Sequence, residues 1–76
     1  MKKERLFEMA NDIGDFFKSE PKQEDAVNGV FNHIYRFWEP RMKRQIIALL
    51  DEDNGDLNPI VHEAISRLKT KMEDAA

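Results

Sequence analysis

Three prolines, at positions 21, 40 and 59, constrain this chain more than any other feature. A proline lacks the amide hydrogen and clashes with the turn before it, so it ends a helix or occupies its first turn. It also pushes the preceding residue out of the helical region. The three divide the chain into four lengths, and each length repeats its apolar residues with a helical period. From Lys3 to about Lys18, Leu6, Met9, Ala10, Ile13, Phe16 and Phe17 share a stripe; Phe7 lies off it and is expected to be exposed. Gly14 costs about 1 kcal/mol against alanine in a helix. It sits beside the stripe, where a close approach between helices would account for it. From about Pro21 to Phe37 the stripe is Val27, Val30, Phe31, Ile34 and Trp38, with Tyr35 and Phe37 at its edges. Pro40 opens a third helix running to about Asp51, with Met42, Ile46, Leu49 and Leu50 inward and Arg41, Arg44 and Ala48 outward. Asn58-Pro59 reads as an N-cap followed by the first helical residue. The helix it starts reaches about Lys71 on a stripe of Val61, Ala64, Ile65, Leu68 and Met72, and Glu73 to Ala76 are expected to fray. The expected fold is all-α: one domain over 1–76, a small bundle of about four helices joined by short proline-containing turns.

Composition narrows the function. A core built from 76 residues rarely supplies more than about 3–5 kcal/mol, so such domains lean on disulfides, a metal or a partner. The chain has no cysteine, which removes disulfides, thiolate metal sites and cysteine nucleophiles together. No apolar run approaches the ~20 residues that span a bilayer, and the N-terminus lacks the apolar segment of a secretory signal. A cytoplasmic protein is expected. The net charge of −3 argues mildly against a general nucleic-acid binder.

Chemistry-bearing motifs are sparse. The acidic run from Asp51 to Asp56 invites a calcium reading, but its glycine, Gly55, arrives one place early and the twelfth position is His62. A solvated turn is the simpler expectation. The two histidines, His33 and His62, lack partners at metal-ligand spacing, and His33 is expected to be a hydrogen-bonded packing residue. The carboxylates fall on exposed faces, without the desolvation that tunes a catalytic acid or base. There is no nucleophile elbow and no phosphate loop, so no catalytic residue, metal ligand or cofactor ligand is expected.

The informative stretch is Tyr35 to Arg44. It holds the single tryptophan, the single tyrosine and four of the twelve basic residues, Arg36, Arg41, Lys43 and Arg44. Lysine and arginine beside stacking aromatics would suit a nucleic acid. Trp, Tyr, Met and Arg together also suit a protein interface, where they are the enriched types. A third possibility is core aromatics with solvated charges. The partner-binding residues expected on the protein-interface reading are Arg36, Phe37, Trp38, Pro40, Arg41, Met42 and Arg44. Trp38 would either anchor the partner or hold the bend before Pro40 from inside. A small bundle with spare aromatic surface would also allow a homodimer when isolated.

Phe37-Trp38-Glu39-Pro40-Arg41-Met42-Lys43-Arg44, with His33-Ile34 just before, resembles the signature of the delta subunit of bacterial NAD-dependent formate dehydrogenases. The family pattern is HI-x-x-FW-[DE]-PRM-[RK]. Met9 to Gly14 with Phe16-Phe17 resembles the family's opening helix. Leu57, Pro59, Val61, Glu63-Ala64-Ile65 and Leu68 resemble its closing one, so the likeness covers about residues 6–68. Tyr35 stands where a basic residue is common in the family, and Lys43 where arginine is common. The resemblance implies a non-catalytic accessory or assembly subunit of a soluble enzyme. Its partner would be the molybdopterin-bearing catalytic (alpha) subunit. Molybdopterin with molybdenum or tungsten, iron–sulfur clusters, FMN and NAD would all reside in partner subunits, with none bound by this chain. The alternative left open is a small helical nucleic-acid-binding or regulatory protein using the 35–44 patch.

Overall fold

The computed structural model describes residues 2–52 and 57–75. Four helices follow one another: α1 Lys3–Phe17, α2 Gln23–Phe37, α3 Pro40–Glu52 and α4 Pro59–Ala75. No strand occurs among the described residues. Every helix is amphipathic, and the four apolar stripes meet in one core. Leu6, Val30, Ile34, Ile46, Val61, Ile65 and Leu68 lie at its centre, wholly shielded from solvent. No polar or charged side chain is buried with them among the described residues, so the interior carries no unpaired polar group to offset.

The helices are arranged as a ring. α2 packs most extensively on α4, α1 lies against α2, and α3 lies against α4 and α1. Helices α2 and α3, consecutive in sequence, make little contact with each other. They occupy opposite corners and diverge from the bend at Trp38–Pro40.

Two of the prolines sit where expected. Pro40 and Pro59 are each the first residue of their helix. The carbonyls just before them accept the first intrahelical bonds, Lys43 N–H to Glu39 O at 3.0 Å and His62 N–H to Asn58 O at 2.8 Å. Pro21 departs from the expectation. α2 begins at Gln23, with Lys22 extended (φ −108°, ψ 131°) and its carbonyl taking the Asp25 and Ala26 amides. The chain reverses direction after α1 through a bend over residues 20–22, of which Lys22 is extended. Glu24 and Asp25 then fall in the first turn, where the helix dipole favours negative charge.

Two expectations on burial are corrected. Phe7 is buried, because α1 is enclosed by α3 and α4 as well as α2 and its buried arc is wider than one stripe. Phe16 is 76% exposed. Adjacent residues on a helix point about 100° apart, and at this end of α1 it is Phe17 that packs against the core. Leu57, in the connection before α4, joins the core without having been placed by the periodicity. At the other end of the chain, α4 runs to Ala75, about one turn beyond the expected frayed end.

Close packing at one glycine has a clear cause. Gly14 is buried against α4, and a Cβ there would collide with Cγ2 of Val61. The start of α4 is also tied to α1 by polar bonds. The Asn58 amide donates to Asn11 Oδ1 at 3.0 Å, and Asn58 Nδ2 donates to Asp15 Oδ1 at 3.3 Å. The side chain of this N-cap residue is thus turned toward the neighbouring helix. No helix among the described residues is long and apolar enough to cross a membrane.

Candidate docking site

The Tyr35–Arg44 stretch spans the end of α2, the bend and the first turns of α3. Its residues divide between interior and surface. Trp38 is only 7% exposed and belongs to the core. Its backbone is extended (φ −82°, ψ 141°), and its amide donates to Ile34 O at 3.0 Å, closing the last turn of α2. The indole therefore holds the bend from inside rather than offering its face to a partner. Met42 is half-buried against the same core, while Pro40 is exposed at the start of α3.

Tyr35 and Lys43 are engaged within the molecule. Tyr35 stacks on Phe31 with centroids 5.7 Å apart. Lys43 Nζ donates to the Tyr35 carbonyl at 3.1 Å and lies 5.0 Å from the centre of its ring, with Lys71 Nζ at 5.9 Å. A carbonyl in the last turn of a helix has no intrahelical donor. An ammonium there both satisfies it and complements the negative end of the helix. This contact ties α3 to the end of α2.

The surface residues are Arg36 and Phe37 on α2 and Arg41 and Arg44 on α3. Phe37 is 72% exposed, its ring tilted against His33 with centroids 5.0 Å apart. His33 is itself exposed, where a hydrogen-bonded packing role was expected. The three arginines form no ion pair or side-chain hydrogen bond among the described residues. The other two arginines of the chain are both paired. Arg5 binds Glu8 at 2.5 Å. Arg67 reaches Asn28 at 2.9 Å, Glu24 at 3.3 Å and Glu63 at 3.5 Å. The hydrogen bond that Arg67 donates to Glu24 raises the Arg67 pKa above its ordinary value, and the charges of Glu24 and Glu63 act in the same direction. The arginines thus fall into two groups: one spent on the bundle, and one, confined to positions 36–44, left facing solvent. Because α2 and α3 diverge, Arg36 and Phe37 project from one corner of the bend and Arg41 and Arg44 from another.

A second apolar surface was missed by the sequence reading. Ile13, Phe16 and Phe17 on α1 line a shallow groove with His33 on α2, and Asp12 stands at its rim. Phe16 and Phe17 meet edge to face at 5.0 Å. The acidic run from Asp51 to Asp56 lies, from 53 to 56, outside the described residues. Asp51 itself ends up in α3, paired with Lys69 at 3.2 Å. Among the described residues no group of three or more histidines and carboxylates stands close enough to hold a metal ion.

The architecture defines a small all-α domain whose distinctive chemistry is at its surface: unpaired arginines and exposed aromatics around a bend pinned by a buried tryptophan. The family model described as NADH-dependent formate dehydrogenase delta subunit FdsD matches residues 5–65, and the chain belongs to that family. No curated protein and no solved structure matches it.

Proposed function

We propose that this chain is a non-catalytic accessory subunit that docks on the molybdopterin-bearing catalytic (alpha) subunit of its formate dehydrogenase and supports a stable, cofactor-loaded enzyme. Membership of the delta-subunit family supports the assembly. The observation that carries the docking site is the segregation of arginine: Arg36, Arg41 and Arg44 are exposed and have no ion-pair partner among the described residues, while Arg5 and Arg67 are paired. An arginine presents a planar fork of donors that fits a carboxylate in a bidentate manner. Forks on both sides of the bend, with Phe37 exposed next to Arg36, suit an acidic partner surface that also offers an apolar contact. Trp38 and Pro40 contribute by fixing the bend in advance, which lowers the ordering cost of docking. On this reading the redox groups (molybdopterin with molybdenum or tungsten, iron–sulfur clusters, FMN and NAD) are held by partner subunits, and the chain works in the cytoplasm. A free chain would pair with its own copy through the same spare aromatic surface.

Co-expression with the catalytic subunit tests the proposal. The wild-type chain is expected to co-purify and to raise the metal content of the catalytic subunit. Arg41→Glu/Arg44→Glu is expected to lose the partner while keeping a wild-type helical spectrum. Full retention of the partner by that variant would remove the arginines from the interface. Capture of nucleic acid with a steep salt dependence, in place of the catalytic subunit, would favour a nucleic-acid surface instead.

A further inference from the structure

We infer that Lys43 is a positioning residue of the docking site: its ammonium, held on the carbonyl and ring of Tyr35, fixes the two arginine-bearing corners of the bend relative to each other. The inference rests on the docking proposal and names what holds its two halves in register.

The docking residues stand on two helices that scarcely touch. Arg36 and Phe37 belong to α2, Arg41 and Arg44 to α3, and α2 and α3 each pack on α1 and α4 rather than on one another. α3 buries Ile46 and Leu50, both beyond its first turn. In the turn that carries Arg41, the contact with the core is made by half-buried Met42. Packing alone therefore fixes the middle of α3 more firmly than its start.

A chain of contacts supplies the further restraint. Phe31 packs against the core. One turn on, Tyr35 stacks on it with ring planes 8° apart. Lys43 reaches back across the bend from α3, its Nζ 3.1 Å from the Tyr35 carbonyl oxygen and 5.0 Å from the centre of the ring. Lys71 brings α4 to the same ring, at 5.9 Å. The Ile34 carbonyl takes the Trp38 amide, and the next carbonyl of α2, that of Tyr35, takes the Lys43 ammonium. One side chain thus joins the last turn of α2 to the start of α3 by two attractions, a hydrogen bond to the carbonyl and a cation–π contact with the ring.

The charges around the bend divide accordingly. Arg36, Arg41 and Arg44 face solvent without an ion-pair partner among the described residues, whereas Lys43, between Arg41 and Arg44 in sequence, is turned back onto α2. An exposed contact of this kind adds little to the stability of a bundle whose core is already closed. Its effect is on placement: forks held at a set separation meet a partner's carboxylates without first being ordered.

The chain has no cysteine, so thiols introduced by Asn32→Cys on α2 and Arg41→Cys on α3, both at exposed positions, would carry the only spin labels. Their separation in the free chain is expected to be narrowly distributed, to broaden in Lys43→Met, and to narrow again in Lys43→Arg, whose guanidinium supplies both contacts. When unlabelled chains are titrated onto the catalytic subunit, Lys43→Met is expected to weaken binding about threefold to tenfold. Lys43→Arg is expected to restore it, with the urea midpoint of the free chain nearly the same in all three. A distribution unchanged by Lys43→Met would overturn the positioning role, and weaker binding without broadening would make Lys43 a direct partner contact instead. Broadening with wild-type binding would overturn the link to docking. If the wild-type chain binds no catalytic subunit, the docking proposal itself fails, and this inference with it.

Discussion

Trp38 shows how the most distinctive side chain of the informative stretch is spent on the core. It lies where α2 stops and the chain turns toward α3, and its ring is enclosed by the core. Truncating a buried tryptophan to alanine costs about 3–5 kcal/mol, comparable to the whole stability expected of a core this size. Trp38→Ala is therefore expected to leave the isolated chain largely unfolded, measured by urea denaturation followed in far-UV circular dichroism. A variant that stays folded and merely loses its partner would return the indole to the surface. Gly14 carries a similar demand in the opposite sense. Gly14→Val would drive new atoms into Val61, and overpacking of this kind costs about 1–3 kcal/mol. The expected result is a lower urea midpoint with little change in slope, since slope reports the surface exposed on unfolding. Arg67 adds no pH dependence near neutrality. Its pKa is raised, so the stability it contributes is complete below the ordinary arginine pKa and is lost only in strongly alkaline solution.

The order and type of the helices could be read from periodicity and proline. Pro40 and Pro59 begin their helices because a first-turn residue needs no amide hydrogen. Pro21 failed as a marker because a proline is equally at home in the extended residues that reverse a chain, and nothing local separates the two uses. Phe7 was misplaced, and Leu57 left unplaced, for a different reason. Periodicity reports one stripe per helix, whereas α1 touches three neighbours, and Leu57 lies outside any periodic segment. The site divided along the same line. That positions 35–44 gather aromatic and basic residue types was visible in the sequence, but which aromatics faced inward depended on the bend. The α1–α2 groove required knowing that those two helices are neighbours. The tie between α1 and α4 was equally invisible, since Asn11 and Asn58 are 47 residues apart. Asn11→Ala would leave the Asn58 amide without its partner at a half-buried position, a loss of about 1 kcal/mol. Thermal unfolding of the variant should register a drop of several degrees, about 4–8 °C per kcal/mol for a domain of this size.

Taken together, the bundle keeps its electrostatics outside and its core entirely apolar. The ion pairs that brace it are exposed and each worth about 0–1 kcal/mol at most, so the fold itself should be nearly indifferent to salt. Docking through unpaired arginines should not be. Between about 0.1 M and 1 M salt the screening length shrinks from ~10 Å to ~3 Å. Co-purification of the catalytic subunit is expected to fall across that range while the unfolding temperature of the free chain stays nearly constant. If both quantities move together, the arginines are bracing the fold and the distinction between the two arginine groups fails.

The divergence of α2 and α3 bears on how the chain matures during synthesis. α2 finds its main packing surface on α4, and Val61, Ala64, Ile65 and Leu68 of α4 are wholly or almost wholly enclosed. A nascent chain that has emerged only as far as α3 therefore leaves Val27, Val30 and Ile34 without their chief cover. Helix-by-helix folding at the ribosome gives no lasting product here, because the ring closes only when the last helix arrives. The bend, and with it the placement of Arg36, Phe37, Arg41 and Arg44, takes its final form at that moment. A truncated product ending before Pro59 would thus present exposed core residues in place of an ordered docking surface, and would be a substrate for chaperones and proteases.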